Sequence, residues 1–144
     1  MKSTQGSRIY RAAQIMPNII PSTKLTVQGK DKKIVLKGID LHTIGVKAAI
    51  LFDNNVTIVN AQTSQEAAAG GGGSDPVITL YNNDLATVVT TVTIDKSAAQ
   101  FEHDNCAAIN NAQVAGGHEL NVSVTTIANT SGLSTLVISY NEYE

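Results

Sequence analysis

A two-residue alternation of β-branched side chains recurs along this chain and constrains its fold more than any other feature. The segment ELNVSVTTIA places Leu120, Val122 and Val124 on one face and polar residues on the other. This is the period of a strand with one buried face, because successive side chains of a strand point to opposite faces of the sheet. The same pattern predicts an inward face in two further segments: Val88, Thr90, Val92 and Ile94 in VVTTVTI, and Leu136, Ile138 and Tyr140 in STLVISY.

Shorter strand-like segments complete a set of about eight strands: KLTV, KIVLKGI, VKAAILF, NVTIV and VITLY. Clusters of Gly, Asn and Asp separate them and favour turns. Only two segments, GSRIYRAAQIM and SAAQFEHDNCAAINNA, could form short helical turns. Regularly spaced strands without amphipathic helices between them predict an all-β fold, an antiparallel β-sandwich of the jelly-roll kind.

The run QEAAAGGGGSDP, Gln65–Pro76, has the composition of a flexible linker between domains. Division of the 144 residues at this point would leave two pieces, each near the size at which a core becomes marginal without a disulfide or metal. Cys106 is the only cysteine, so no disulfide can form within the chain. The sequence therefore predicts one sandwich domain of residues 22–144, in which residues 65–76 are a flexible loop, preceded by an N-terminal arm of residues 1–21.

Charge is divided unevenly along the chain. Residues 1–47 carry nine basic and two acidic side chains, a net charge of +7, whereas residues 48–144 carry one basic and ten acidic side chains, a net charge of −9. A basic segment of this kind favours an acidic partner surface. Alternatively, the two charge sets are neighbours within the fold.

The N-terminal arm combines basic, aromatic and apolar side chains in RIYRAAQIMPNIIP. Such a combination is typical of a protein interface. We expect a partner interface at seven residues: Arg8, Ile9, Tyr10, Arg11, Ile15, Ile19 and Ile20. The alternative is that the isoleucines belong to the core or first strand of the sandwich itself.

Enzymatic, cofactor and metal sites have no support in the sequence. The glycine run is followed neither by the Lys-Ser or Lys-Thr pair nor by the helix of a phosphate-binding loop. HDNC and His118 match no zinc spacing, and Cys106 with His103 is the only local pair that resembles a nucleophile and base. Tryptophan is absent, and Tyr10 alone has basic neighbours, which disfavours nucleic-acid binding. We predict a protein that is not an enzyme and has no cofactor.

Three segments resemble a pattern found in small virion proteins of tailed bacteriophages: VKAAILFDNNVTI, VITLYNNDLATVVTTVTI and HELNVSVTTIANTSGLSTLVISYNEYE. The resemblance covers residues 46–144. It implies a β-sandwich that decorates or cements the outer surface of the phage head, with the major capsid protein or another virion protein as its partner. Two alternatives stay open: a tail or neck component or host-surface adhesin of the virion, and a carbohydrate-binding sandwich module.

Location and oligomeric state follow from two further patterns. The first residues interrupt every apolar run with Arg, Gln or Asn, so a signal peptide is not predicted, and no segment has the length of a membrane span. We expect a protein made in the host cytoplasm and located in the virion. Lys96 is the only basic residue after Lys47, so the strand edges carry few charges that would prevent pairing. We therefore expect a homo-oligomer, and the resemblance favours a trimer.

Overall fold

The computed structural model describes residues 32–69, 73–128 and 132–143. Within these ranges the chain forms strands and no helix. The strands are β1 (Lys32–Asp40), β2 (Gly45–Leu51), β3 (Val56–Ala67), β4 (Gly73–Asn82), β5 (Thr87–Thr93), β6 (His103–Asn105), β7 (Gln113–Val114), β8 (Glu119–Ala128) and β9 (Leu133–Glu142). These residues hold no helical stretch of the length and apolarity that a membrane span requires. The predicted KLTV strand and GSRIYRAAQIM turn lie outside the described residues.

The strands form two antiparallel sheets. The first has the order β1-β9-β3-β6, with β7 also beside β3, and the second has the order β2-β8-β4-β5. The last two described strands therefore lie inside the sheets, each between two strands that precede it in the sequence. The predicted all-β antiparallel sandwich is confirmed, and its strand order is that of a jelly roll.

Apolar side chains from both sheets fill the space between them. Leu120, Val122 and Val124 of β8 are fully buried, as the alternation predicts, and so are Leu136 and Ile138 of β9. Burial of each such side chain contributes about 1.5–3 kcal/mol relative to an exposed position. The two central strands thus supply much of the core that holds the sheets together.

The alternation fails in the first half of β5. Val88 is 46% exposed and Val89 is fully buried, the reverse of the predicted arrangement. The register against β4 shifts between Leu80 and Tyr81, which pair with Thr90 and Val88, so Val89 is the additional residue of a bulge. A bulge changes the parity of every side chain that precedes it.

The glycine-rich connection is shorter than predicted. β3 continues to Ala67 and β4 begins at Gly73, which leaves residues 68–72 between them, so the predicted loop Gln65–Pro76 is wrong in extent. Gln65 is a strand residue because its backbone N–H donates to the carbonyl of Glu102 over 2.9 Å, and its buried side chain accepts a hydrogen bond from the Ser134 hydroxyl. Since β3 and β4 belong to different sheets, the connection crosses from one sheet to the other.

Candidate assembly surface

One side of the sandwich is closed by the segment between β5 and β8. The backbone N–H of Cys106 donates to the carbonyl of Ala61 on β3 over 2.9 Å, and the N–H of Ala107 donates to the carbonyl of Thr91 on β5 over 2.8 Å. These bonds reach both sheets, so the segment covers part of the β3 and β5 edges. SAAQFEHDNCAAINNA, in which the sequence allowed a short helical turn, forms no helix: the N–H of Glu102 donates to the carbonyl of Ala99 in a turn, but the N–H groups of Cys106 and Ala107 bond to the flanking strands.

The opposite side of the first sheet ends at β1, and charge protects this edge. Lys32, Lys33 and Lys37 all lie on β1, and the register against β9 shifts at Gly38, where φ is +70°. Lysines and bulges are devices that keep an edge strand from pairing with another chain. The β1 edge is thus a poor candidate for assembly.

Some of these lysines are bound to the sandwich itself. Lys32 Nζ lies 3.0 Å from Glu142 Oε1, and this hydrogen bond raises the pKa of Lys32 and lowers the pKa of Glu142. Lys33 Nζ donates to Ser139 Oγ over 3.0 Å. For β1, the two charge sets predicted from the sequence are neighbours within the fold.

The second sheet ends on the same side at β2, and this edge is apolar. Three large side chains there are more than half exposed: Ile44 (67%), Val46 (60%) and Leu51 (65%). Ala49, on the same outer face, is also exposed. We call these four residues the β2 edge. Clusters of exposed apolar residues on a small protein mark interaction surfaces.

Lys47 is the one charged residue of β2. It is the additional residue of a bulge between Val46 and Ala48, and its ammonium donates to Thr43 Oγ1 over 2.6 Å. The Thr43 hydroxyl donates in turn to the Asp40 carboxylate over 3.0 Å. No carboxylate among the described residues forms an ion pair with Lys47.

The outer face of the second sheet continues from the β2 edge as a surface of hydroxyl groups. Thr79 Oγ1 and Thr125 Oγ1 share a hydrogen bond of 2.9 Å, and Thr79 lies between Ser123 on β8 and Thr91 on β5. We call these four residues the threonine face. Hydroxyl groups both donate and accept hydrogen bonds, so such a face can contact another protein without burying a charge.

Carboxylates gather at a distant corner of the sandwich. Partial burial raises the pKa of Asp104 above its ordinary value, and three nearby carboxylates raise it further: Asp95, Glu102 and Asp75. Within the described ranges, no group of three or more His, Cys, Asp or Glu residues has the arrangement that holds a metal ion. The corner contributes negative charge rather than a coordination site.

The sequence offered Cys106 and His103 as the only local nucleophile and base. The structure places Cys106 Sγ 3.8 Å from Asn60 Oδ1, whereas His103 pairs with Ser64 on β3. No hydrogen bond joins the thiol to His103 in the part of the chain that the structure describes. The geometry therefore gives this pair no arrangement for nucleophilic chemistry.

The seven predicted interface residues lie outside the described residues: Arg8, Ile9, Tyr10, Arg11, Ile15, Ile19 and Ile20. The β2 edge was not predicted from the sequence as an interface. A signal for it exists, since VKAAILF has apolar residues at both parities, more than one buried face requires. Which strands form sheet edges depends on pairing between distant segments, and the local pattern does not contain that information.

No protein-family model matches this chain, and no curated protein sequence matches it. Solved structures with weak similarity to it include the following three. A chain of the cyanophage Pam1 capsid asymmetric unit has 8% identity and a TM-score of 0.40, over 78% of this chain and 86% of that one. A chain of the Bacillus endospore appendages, described as disulfide-linked pili, has 16% identity and a TM-score of 0.39, over 81% and 94%.

The third structure is the virus-like particle of the extra small virus of the prawn Macrobrachium rosenbergii. Its chain has 15% identity and a TM-score of 0.29, over 94% of both chains. At these identities and TM-scores, the three similarities assign no function to this chain.

Proposed function

We propose that this chain is a non-enzymatic structural protein of a phage virion that decorates or cements the outer surface of the head. The observation that carries the proposal is the β2 edge together with the adjoining threonine face. This surface exposes large apolar side chains and the hydroxyl-bearing Thr125, with Ser123 and Thr91 half-buried and Thr79 buried beside them, and it carries little charge, which suits contact with a neighbouring protein in an assembly. Jelly rolls also serve as capsid domains, which is support by analogy of fold.

The N-terminal arm has a part in the proposal as the segment that grips the shell. The arm, residues 1–21, carries three basic side chains, Lys2, Arg8 and Arg11, and no carboxylate, a net charge of +3. The described residues carry five lysines against ten carboxylates, a net charge of −5. The arm is therefore suited to an acidic surface, on the shell or on a neighbouring sandwich, and its isoleucines add apolar anchors.

Labelling of intact particles tests the proposal. An antibody raised against the recombinant protein is expected to label the heads of particles purified from the source of this sequence. Particles that carry no label would overturn a virion role, and label confined to the tail would overturn decoration of the head. A reading frame next to genes for a capsid protein, a portal or a large terminase would support the same conclusion.

Deletion of the arm tests its part separately. A variant without residues 1–21 is expected to fold, as judged by its circular dichroism and thermal transition, and to bind purified shells at reduced occupancy. Full occupancy by the folded variant would remove the arm from the proposal while the β2 edge and the threonine face remained.

A tail component or host-surface adhesin is the second candidate, and Phe101 favours it. This side chain is 71% exposed on a turn, and exposed aromatic residues often anchor binding to a partner. Replacement of Phe101 by Ser is expected to reduce adsorption of particles to host cells if the adhesin role holds. Unchanged adsorption, with head labelling, would leave decoration as the function.

A further inference from the structure

We propose that β2 of one copy pairs antiparallel with β2 of a second copy, around a two-fold axis at Ala49. The pairing would join the two second sheets into one continuous sheet of eight strands. It concerns contact between copies of this chain, and it does not depend on the proposed role in a virion.

The first argument is that β2 is the sheet edge that no other part of the described chain covers. The β3 and β5 edges are occupied by the segment between β5 and β8, and β1 is protected by three lysines. From Ala48 to Leu51 the register against β8 is uninterrupted, so Ala49 and its two neighbours, Ala48 and Ile50, have the regular backbone that pairing with the same residues of a second copy requires. An edge strand of this kind presents a row of unpaired N–H and C=O groups.

The second argument is the apolar surface on the same strand. Val46 and Leu51 are 60% and 65% exposed, and Ala49 lies between them on the outer face. With Ala49 on the axis, the two Ala49 residues oppose each other, and each Leu51 is level with Lys47 of the other copy. The small alanine side chains allow close approach at the axis, while Val46 and Leu51 lose solvent exposure on both sides of it.

The third argument is charge complementarity. Glu119 of β8 is the register partner of Leu51, so it lies two strand spacings, about 9.6 Å, from the position that Lys47 of the second copy would occupy on the far side of β2. Adjacent strands are about 4.8 Å apart, so the lysine side chain can cross Leu51 and place its ammonium near the Glu119 carboxylate. The two-fold axis creates this contact twice. Lys47 donates one hydrogen bond to Thr43 and has two further N–H groups for the carboxylate.

The bulge at Lys47 makes the pairing selective. A bulge and a lysine on an edge strand oppose pairing with a chance partner, because the lysine would lose water without gaining a carboxylate. A second copy of this chain places its Glu119 at the same position along the strand as Lys47. Lys47 therefore disfavours pairing of β2 with an unrelated strand and favours pairing with β2 of a second copy.

Sedimentation and light scattering of the full chain provide the first test. The wild type is expected to be a dimer at micromolar concentration. Leu51→Lys places a lysine beside Lys47 of the second copy and is expected to weaken the dimer at least about tenfold. The matched control is Val35→Lys, which adds the same charge at a 53% exposed valine of β1 and is expected to leave the dimer intact. Circular dichroism establishes that both variants are folded.

Exchange of the charges tests the register. Lys47→Glu and Glu119→Lys are each expected to weaken the dimer, and the double variant to restore it.

In a Cys106→Ser background, Ala49→Cys is expected to form a disulfide-linked dimer on oxidation, since directly opposed residues of antiparallel strands have Cα atoms about 4.5–5.5 Å apart, within disulfide range. Val35→Cys in the same background is the control and is expected to remain uncrosslinked.

Several outcomes would overturn the inference. A monomeric wild type would do so, and so would an oligomer in which Ala49→Cys does not crosslink. An oligomer lost on deletion of residues 1–31, with no crosslink at position 49 in the full chain, would identify the N-terminal segment as the occupant instead. A trimer, which the resemblance favours, would also contradict a two-fold pairing of β2.

Discussion

Phe101 combines a strained backbone with an exposed side chain. Its φ is +72°, a region that bulky residues rarely adopt, while its side chain is 71% exposed. The backbone N–H donates to the carbonyl of Gln65 over 2.8 Å, and the N–H of Gln65 donates to Glu102 over 2.9 Å. Two bonds to β3 thus hold the turn in a conformation that the phenylalanine itself disfavours.

A pair of substitutions measures this strain. Phe101→Gly is expected to be more stable to urea than Phe101→Ala by about 1 kcal/mol, because only glycine adopts a positive φ without steric cost. The control is the same pair at Gln100, where alanine is expected to be the more stable of the two. Equal stabilities of the two Phe101 variants would show that the turn relaxes without cost.

Glu66 links three strands through one carboxylate. Thr135 Oγ1 of β9 donates to Glu66 Oε2 over 2.5 Å, and the backbone N–H of Gly38 on β1 donates to the same oxygen over 2.7 Å. These bonds, that of Thr135 first, lower the pKa of Glu66 below its ordinary value of 4.5. Because the pKa of Glu66 is lower in the folded state, its ionised carboxylate stabilises the fold at pH values above the ordinary pKa. This stabilisation is lost as the pH falls through the lowered pKa.

Glu66→Gln should therefore flatten the acid side of the stability profile. The urea midpoint of the variant is expected to fall less than that of the wild type between about pH 6 and about pH 3, and to be lower than the wild-type midpoint at neutral pH. Glu102→Gln, at an exposed position of the neighbouring turn, serves as the comparison. Parallel profiles for Glu66→Gln and the wild type would contradict the assigned role.

At the scale of single strands, the sequence predicted orientation well where a strand is regular. The burial of alternate residues in β8 and β9 follows directly from their period, because both strands pack one face on the core and, over Leu120–Val124 and Leu136–Ile138, contribute no additional residue to a bulge. β5 differs, since its parity depends on a bulge that forms only against β4. Pairing between distant segments fixes bulges and edges, so a local pattern predicts a strand without predicting where its register shifts.

The bulge in β5 yields a matched comparison between neighbouring valines. Val89→Ala is expected to destabilise the protein by about 1–3 kcal/mol, because it leaves a cavity in the core. Val88→Ala is expected to cost about 0.5 kcal/mol or less, because its side chain already contacts water. Urea denaturation measures both. If Val88→Ala destabilised the protein more than Val89→Ala, then Val88 would be the buried residue, as simple alternation predicts.

At the scale of the whole molecule, the basic residues of positions 1–47 fall into two groups: the lysines of β1 and β2, and those that precede the described residues. Lysines of β1 bond to the sandwich, as Lys32 does with Glu142, and Lys47 lies on the β2 edge. The basic residues of the arm lie outside the described residues, and their acidic partner stays a prediction. We therefore assign to the arm the role of docking on an acidic partner surface, which the sequence predicted for the whole basic segment 1–47.

Salt tests that role. Raising the ionic strength from about 0.01 M to about 1 M shortens the Debye length from roughly 30 Å to 3 Å. The association rate of the protein with its shell is expected to fall, with a smaller change in its dissociation rate, because exposed charges mainly steer encounter. Replacement of both Arg8 and Arg11 by Ala is expected to flatten the salt dependence, as measured by surface plasmon resonance on immobilised shells. Attachment that is indifferent to salt and to both substitutions would remove the arm charges from the mechanism.

The order of strands within the sheets determines when, during translation, each sheet can form. β1 pairs with β9 and β2 pairs with β8, so the first two of the described strands to leave the ribosome have their sheet neighbours among the last. Until residues 119–142 have been translated, a nascent chain can form the β4–β5 hairpin but neither complete sheet. Pairing over such separations in sequence slows folding and prolongs the exposure of apolar strands. A ribosome that stalled before β8 would therefore hold a chain prone to aggregation.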